Sequence, residues 1–432
     1  MQRNWSGNVA FTAAAYHRPD TLEEVQAIVV AAVGAGRRVH ATGSRHSFNT
    51  VAATDPDGEI VSMLGLDRVV SIDHEAMTVT VEAGIRYGEL SAALHANGLA
   101  LHNLPSLPHI TVAGAVATAT HGSGVTNGNL ATAVRAIELV TGDGSVLRID
   151  SDDPRLTGAV VGLGALGIVV RITLAVEPTF DVAQTIYRNL PFDVVLDRLD
   201  GFDRLDGLDR LDGVMDAAYS VSLFTDYQHG VFQQVWWKGR VGVDPPAPAS
   251  LLGASPAGVA LHPIETVSAE SCTQQLGAPG PWSDRLPHFR LGYAPSSGDE
   301  LQSEFFVDRS NGPLALAAVA ELANELAPLI QISEIRTVAA DHLWLSGSYG
   351  RATLALHFTW IPDQTQVMAF LPRLEAALAP FEARPHWGKL TAIPPATIRG
   401  LYPRWSDFEA LASELDPAGT FANPYLDDLM RR

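Results

Sequence analysis

Two groups of residues in this sequence have types and spacing that could do chemistry. The first lies on strand-like runs. In Ile332–Thr337 (ISEIRT) the two-residue period of an extended chain puts Glu334 and Arg336 on one face and Ile335 on the other. By the same alternation Thr353, Ala355, His357 and Thr359 share a face opposite Leu354, Leu356, Phe358 and Trp360, and Gln302 and Glu304 alternate with Ser303 and Phe305. Such a wall carries hydrogen-bonding groups and a charge pair. It also suits a half-solvated sheet, with Glu334 and Arg336 as an exposed ion pair of little energetic weight.

The second group is small and glycine-rich. Thr42–Ser47 (TGSRHS) is a polar loop after the strand-like run Arg37–Thr42, and it carries His46. Residues 103–124 are dominated by Gly, Ala, Ser and Thr, a composition that lets backbone amides approach a phosphate or a planar ring. The run reads equally as a turn followed by a helix packed closely through Ala113–Thr118. Gly162–Gly167 (GLGALG) matches the G-x-G-x-x-G pattern, but that fingerprint needs a strand before it and a helix after it. Here residues 152–160 have a helical pattern and Ile168–Leu174 alternates like a strand, which rejects a Rossmann turn. A glycine turn approaching some other ligand stays open.

The elements that must position these residues fall into three stretches. Residues 1–180 read as a packed α/β unit. Thr21 followed by Glu24 is a capping signal, and Val25, Ile28, Val29 and Ala32 form a helical stripe closed by Gly34 and Gly36. Strand-like runs follow at Val69–Ile72 and Thr78–Glu82, then a helix over Tyr87–His95. Residues 181–384 alternate strands (Tyr219–Phe224, Phe232–Trp237, Thr353–Trp360) with helices such as Leu314–Leu326. Residues 385–432 return to loop and helix. The segment DRLDG recurs at 197–201, 203–207 and 209–213; its spacing fits neither an EF-hand nor the nonapeptide calcium repeat, and it reads as a local duplication lengthening an exposed helix or loop.

Composition bounds the rest. The chain has 432 residues, 47% hydrophobic and 18% charged, enough for a large core. A net charge of −19 argues against nucleic acid. The longest apolar stretch, Ala27–Ala35, is one amphipathic helix and too short to span a bilayer. Cys272 is the single cysteine, which excludes an intrachain disulfide and a cysteine-based zinc site, and no metal site is expected. With no apolar signal region at the N-terminus the expectation is a cytoplasmic protein, and the Asn4-Trp5-Ser6 sequon is a chance match.

Thr42–Ser47, Ala83-Gly84, Ile110–Gly114 (ITVAG), His121-Gly122 and Gly164–Gly167 together resemble the FAD domain of the vanillyl-alcohol oxidase superfamily. His386–Lys389 (HWGK) and Asp416–Tyr425 (DPAGTFANPY) are similar to the branch that holds the sugar-alcohol and aldonolactone oxidases, and the similarity to bacterial alditol (xylitol) oxidases covers the whole chain apart from the hexapeptide insertion. The resemblance implies an α+β, two-domain flavoprotein: a PCMH-type FAD-binding domain (1–180), a substrate domain with a large antiparallel sheet flanked by helices (181–384) and a C-terminal segment returning to the first domain (385–432). It implies FAD bound covalently through His46 and cradled by Ala41, Thr42, Gly43, Ser44, Arg45 and Ser47. Further cofactor contacts would come from Pro105, Ser106, Thr111, Gly114, Ala115, Val116, Ala117, Thr118, His121, Gly122, Ile168, His386, Lys389, Asn423 and Tyr425. Pro105 stands where the family controls oxygen access, and proline there is compatible with an oxidase.

What the resemblance implies chemically is an alditol oxidase, which takes hydride from the terminal primary alcohol of a polyol and reduces O2 to hydrogen peroxide. Arg336, Lys389 and Glu334 would be catalytic. The two cations would stabilise an alkoxide, and Lys389 would act as base if its pKa falls far enough. Ser106, Gln302, Thr359 and His357 would bind the other hydroxyls, whose alternating donors and acceptors a polar wall can satisfy. The alternatives are an aldonolactone oxidase or dehydrogenase and, from another class, a flavin-carrying binding protein without turnover. The expected partners are a small polyol and O2, with no nucleic acid and no membrane, for a monomer.

Overall fold

The computed structural model describes residues 2–196, 210–293 and 300–430. The hexapeptide repeat therefore lies outside the described residues, except for its last residues in the short helix Arg210–Met215.

The N-terminal half begins with α1 (Leu22–Gly34), where the Thr21 hydroxyl accepts the Glu24 N–H at 3.2 Å. Its stripe Val25, Val29 and Ala32 is fully buried, while Val30 and Val33 stay exposed, so the apolar run is amphipathic as its period implies. Three short parallel strands, β1 (Ala15–His17), β2 (Val39–Thr42) and β3 (Glu59–Ser62), pair in the order β1-β3-β2. Beside them lies an antiparallel sheet of β4 (Val69–Asp73), β5 (Thr78–Glu82), β6 (Val134–Val140), β7 (Val146–Asp150) and β8 (Ile168–Ala175), in the order β7-β6-β8-β5-β4. Helices α2 (Tyr87–Ala96) and α3 (Val112–Ala117) complete this half. The glycine turn before β8 holds Leu163 at φ 52°, Gly164 at 79° and Gly167 at 146°, and it leads into a strand, so it is no Rossmann turn.

The second half is built on one antiparallel sheet. Its long strands are β9 (Asp181–Pro191), β10 (Ser220–Thr225), β11 (Val231–Arg240), β12 (Leu301–Asp308), β13 (Ile330–Val338) and β14 (Thr353–Trp360), in the order β9-β11-β10-β13-β14-β12. One face carries Leu354, Leu356, Phe358 and Trp360, all fully buried in the core that α4 (Gly312–Ala320) and α5 (Gln364–Leu378) complete. The helix expected over Leu314–Leu326 is split, because the Leu322 N–H turns back to the Val319 carbonyl at 2.9 Å and a separate turn, Ala323–Leu326, follows. The other face of the sheet is the polar one, and it looks onto the N-terminal half. Backbone bonds from Gly124 to Thr337 (3.0 Å) and from Ala339 to Asn127 (2.9 Å) tie the halves together there.

The chain returns at its end. Arg384 and Pro385 pair with Phe306 and Phe305 on β12, so the turn that follows reaches the sheet's polar face. Farther on, the buried Asp416 carboxylate accepts the Thr420 and Phe421 N–H groups, both at 2.8 Å, and the Thr420 carbonyl accepts the Val39 N–H at 2.8 Å. Among the described residues no helix is long and apolar enough to cross a membrane.

Candidate active site

A cavity of about 600 Å³ separates the small-residue loops of the N-terminal half from the polar face of the sheet. Its lining brings together nearly all the residues singled out from the sequence. Ala41–Ser47, Pro105, Ser106, Thr111, Gly114–Thr118, His121, Gln302, Glu334, Arg336, His357, Thr359, His386 and Lys389 all face it. Gly122, Ile168, Asn423 and Tyr425 lie outside the lining. Asn423 is taken up in structure: its amide donates to the Val51 and Ala53 carbonyls and its oxygen receives the Leu426 N–H. Tyr425 packs against the N-terminal core, and a Cβ on Gly122 would lie 2.2 Å from the Asn103 side-chain oxygen. Near Ile168, it is Gly167 and Val169 that line the cavity.

The loop after β2 is open by necessity. A Cβ at Gly43 would stand 2.0 Å from the Thr111 hydroxyl, and Arg45 takes φ 58°, a left-handed conformation rare for a non-glycine residue. The backbone N–H groups of Ser44, Arg45, His46 and Ser47 have no acceptor among the described residues, while the Ser44 hydroxyl receives the Thr111 N–H at 2.8 Å. These consecutive amides are a wall for an anion. The His46 ring stacks on Trp5 with centroids 5.0 Å apart. Burial pulls its pKa down to about 4, with His109 and Arg86 adding to the effect, which favours the neutral imidazole.

Opposite stands a charge network that the strand alternation foreshadowed only in part. Glu334 and Arg336 are not an exposed pair: they are 5% and 6% exposed. Cross-strand register sets Glu304, His357 and Glu334 in one row across β12, β14 and β13. Glu304, 1% exposed, stood on the polar face in the sequence but was given no role there. One of its oxygens accepts from Arg336 at 2.9 Å and lies 3.2 Å from His121 Nε2; the other accepts from Lys389 Nζ at 2.7 Å. Burial opposes its charge, but Lys389, His121 and Arg336 outweigh that and hold its carboxyl well below the usual range. Arg336 is likewise opposed by burial, and Glu334 and Glu304 keep its pKa raised. For Lys389 burial and Arg336 win over Glu304, and its pKa falls below that of an ordinary lysine.

The remaining polar groups divide. Arg336 also donates to the Ser106 hydroxyl at 3.2 Å, and Gln302 is held by Glu300 at 2.6 Å. His357 is buried with neither ring nitrogen hydrogen-bonded among the described residues, and burial first and Lys389 second pull its pKa down to about 3. A second residue missed from sequence, His288, donates from Nε2 to Glu334 at 2.8 Å. It sits in a loop with no periodicity to mark it.

Comparisons with known proteins agree with this geometry. A family model described as an FAD binding domain matches residues 13–150, and one described as D-arabinono-1,4-lactone oxidase matches residues 299–429. The chain is 50% identical over 427 residues to an alditol oxidase of a Streptomyces species, covering 99% of this chain and 98% of the relative. It is 32% identical over 435 residues to an L-gulono-1,4-lactone dehydrogenase of Mycobacterium tuberculosis, covering 98% and 97%. Among solved structures, a cholesterol oxidase from B. sterolicum superposes with a TM-score of 0.78 at 16% identity over 99% of this chain and 96% of that one. A xylooligosaccharide oxidase from Myceliophthora thermophila C1 gives 0.73 at 17% over 98% and 93%. At those identities the likeness shows the fold.

The residues present fit FAD. A run of free amides suits a pyrophosphate, the cavity volume suits a ligand of this size, and the buried, unbonded His357 nitrogens face the same space. The depressed groups also set an acid limit. His288 (about 4), His357 (about 3), His386, Glu304 and Glu334 all have folded pKa values below their unfolded ones, so the unfolded chain takes up protons first. Their stabilisation is complete above roughly pH 6.5 and is lost as pH falls, first through the histidines and then below roughly 4.3 through the carboxylates. Asp341 and Glu375, whose pKa burial raises, act in the opposite direction but are fewer. The melting midpoint should fall steadily between pH 7 and pH 5; a flat or rising midpoint over that interval contradicts this assignment.

Proposed function

This chain belongs to the alditol oxidase family of FAD-linked oxidases, in the vanillyl-alcohol oxidase superfamily, and from that premise we propose that it oxidises the terminal primary alcohol of an open-chain polyol such as xylitol or sorbitol to the aldose. The observation that carries this reading is one cavity bounded on one side by an amide-lined loop and on the other by buried Arg336 and half-buried Lys389 sharing Glu304. FAD, once bound, supplies the hydride acceptor and passes the electrons to O2, which leaves as hydrogen peroxide. In this reading the cofactor is covalently attached through His46, residues 1–180 form its domain, residues 181–384 the substrate domain and residues 385–432 the segment that closes back. A cytoplasmic monomer is part of the same reading, supported by the lone cysteine and by a cavity that one chain completes.

The residues divide the work by their electrostatics. Loss of the hydroxyl proton builds negative charge on the substrate oxygen, and Arg336, whose charge two carboxylates secure, faces it as a fixed cation. Lys389, 2.7 Å from the same Glu304 carboxylate, faces the substrate oxygen as the second cation. Glu334, Ser106, Thr359, Gln302 and His357 offer donors and acceptors to the other hydroxyls. The match of residues 299–429 to an aldonolactone oxidase model favours one second reading, oxidation of an aldonolactone in the same cavity. A panel of polyols and aldonolactones assayed for peroxide separates the two: turnover of xylitol or sorbitol supports the first, and turnover of lactones alone replaces it with the second.

Covalent attachment predicts that denatured wild-type protein stays yellow and has the mass of the chain plus one FAD. His46→Ala should release its flavin on denaturation; flavin washing free from the wild type in acid would falsify the linkage. On the substrate side, Lys389→Met and Arg336→Ala should each lower kcat by about a hundredfold or more, since removing one oxyanion-stabilising group costs roughly 2.7–4 kcal/mol. Both variants must retain full flavin content. Near wild-type turnover in both would remove the alkoxide-stabilising role.

A further inference from the structure

Behind the cavity wall lies a lysine that the site as described does not use. Lys238, on β11, is 1% exposed and does not line the cavity. Fully buried lysines are rare unless paired with an anion, and Lys238 has no carboxylate in ion-pair contact among the described residues. Its Nζ has three acceptors instead: the Leu286 carbonyl at 2.6 Å, the Pro287 carbonyl at 3.4 Å and His288 Nδ1 at 3.0 Å. An ammonium has three protons and meets all three when Nδ1 is bare; a neutral amine would instead have to accept from Nδ1–H, which leaves Nε2 without a proton for Glu334. The imidazole proton then sits on Nε2, which donates to Glu334 Oε1 at 2.8 Å. The other tautomer would turn a lone pair toward the carboxylate.

The surroundings keep this chain of bonds in one arrangement. The His288 ring is packed against Trp236 (centroids 4.8 Å apart) and Phe224 (5.7 Å). The His288 and Phe289 N–H groups both donate to the Ser106 carbonyl, at 3.1 and 3.2 Å, which fastens the loop to the cavity wall. With Oε1 of Glu334 occupied by His288, no hydrogen bond among the described residues engages Oε2 of this residue, which faces the cavity. Burial first, and Arg336 with it, work against the arrangement and pull the Lys238 pKa down to about 7, with Glu334 opposing.

We propose that Lys238 is a positioning residue of the active site: its ammonium fixes His288 as the Nε2–H tautomer, and that N–H aims the Glu334 carboxylate so that its second oxygen receives a substrate hydroxyl. Lys238 thus acts on substrate binding without touching substrate. The proposal rests on the polyol reading of the cavity.

The test uses the flavin-loaded full chain. Lys238→Met should raise KM for xylitol about 10- to 100-fold, the range for losing a hydrogen bond to a charged group, and leave kcat within about threefold. Because the effect runs through Glu334, adding Lys238→Met to Glu334→Gln should change KM no further. His288→Gln, whose amide can still donate to Glu334, should retain a lower KM than His288→Leu. Histidine-labelled ¹⁵N NMR, with His288 assigned from the His288→Gln spectrum, should show the Nε2–H tautomer in the wild type. An Nδ1–H tautomer or an imidazolium there overturns the proposal even if no lysine variant folds. An unchanged KM in Lys238→Met, or equal further loss in the Glu334→Gln background, overturns it as well. Failure of the polyol reading shows separately, as no xylitol turnover by the wild type, and the tautomer then decides the Lys238 proposal.

Discussion

Glu304 is enclosed by protein and still ionised because Arg336 at 2.9 Å and Lys389 at 2.7 Å supply it with two counter-charges. Each ion in such a cluster carries a desolvation penalty of several kcal/mol, and none of the three is tolerable in that place alone. The requirement reaches across the chain. Glu304 comes from β12, Arg336 from β13, Lys389 from the turn after Pro385, and His121 from the small-residue run of the N-terminal half. The sheet must therefore hold its register, and the C-terminal segment must return to it, for these charges to meet.

The same turn is bonded to the glycine-rich loop. Asn49 donates to the Trp387 and Lys389 carbonyls at 2.8 and 2.9 Å, and the Phe48 N–H reaches the Gly388 carbonyl at 2.7 Å. Trp387 is in turn fixed by stacking on Tyr402 at 4.8 Å and by donating to the Leu345 carbonyl. The loop that carries His46 and the lysine that faces the substrate side are thus two ends of one hydrogen-bonded unit. A shift of either would be felt by the other, which gives the cavity a fixed width between its amide wall and its charged wall.

Much of this was legible in the residues. The two-residue period of Ile332–Thr337 and Thr353–Trp360 correctly sorted the polar face from the core face, because a buried strand leaves no freedom to mix them. The rejection of a Rossmann turn at Gly162 followed from the strand after it. Glu304 was visible only as one more alternating polar residue, since its partners lie 32 and 85 positions away and no spacing rule joins them. His288 and Lys238 were silent for the same reason: a loop histidine and a lysine in an apolar strand acquire meaning only when the sheet stacks them. Asn423 and Tyr425, in contrast, sit in the C-terminal motif that carried the resemblance, and here one caps the last helix and the other packs in the core.

The account depends most on Glu304 keeping both cations charged and in place. Anaerobic stopped-flow reduction of the bound flavin by xylitol, comparing the wild type with Glu304→Gln at equal flavin content, addresses this directly. Rapid bleaching of the wild type and a limiting rate at least about a hundredfold lower in Glu304→Gln is the expected result. A Glu304→Gln protein that bleaches at close to the wild-type rate would contradict it.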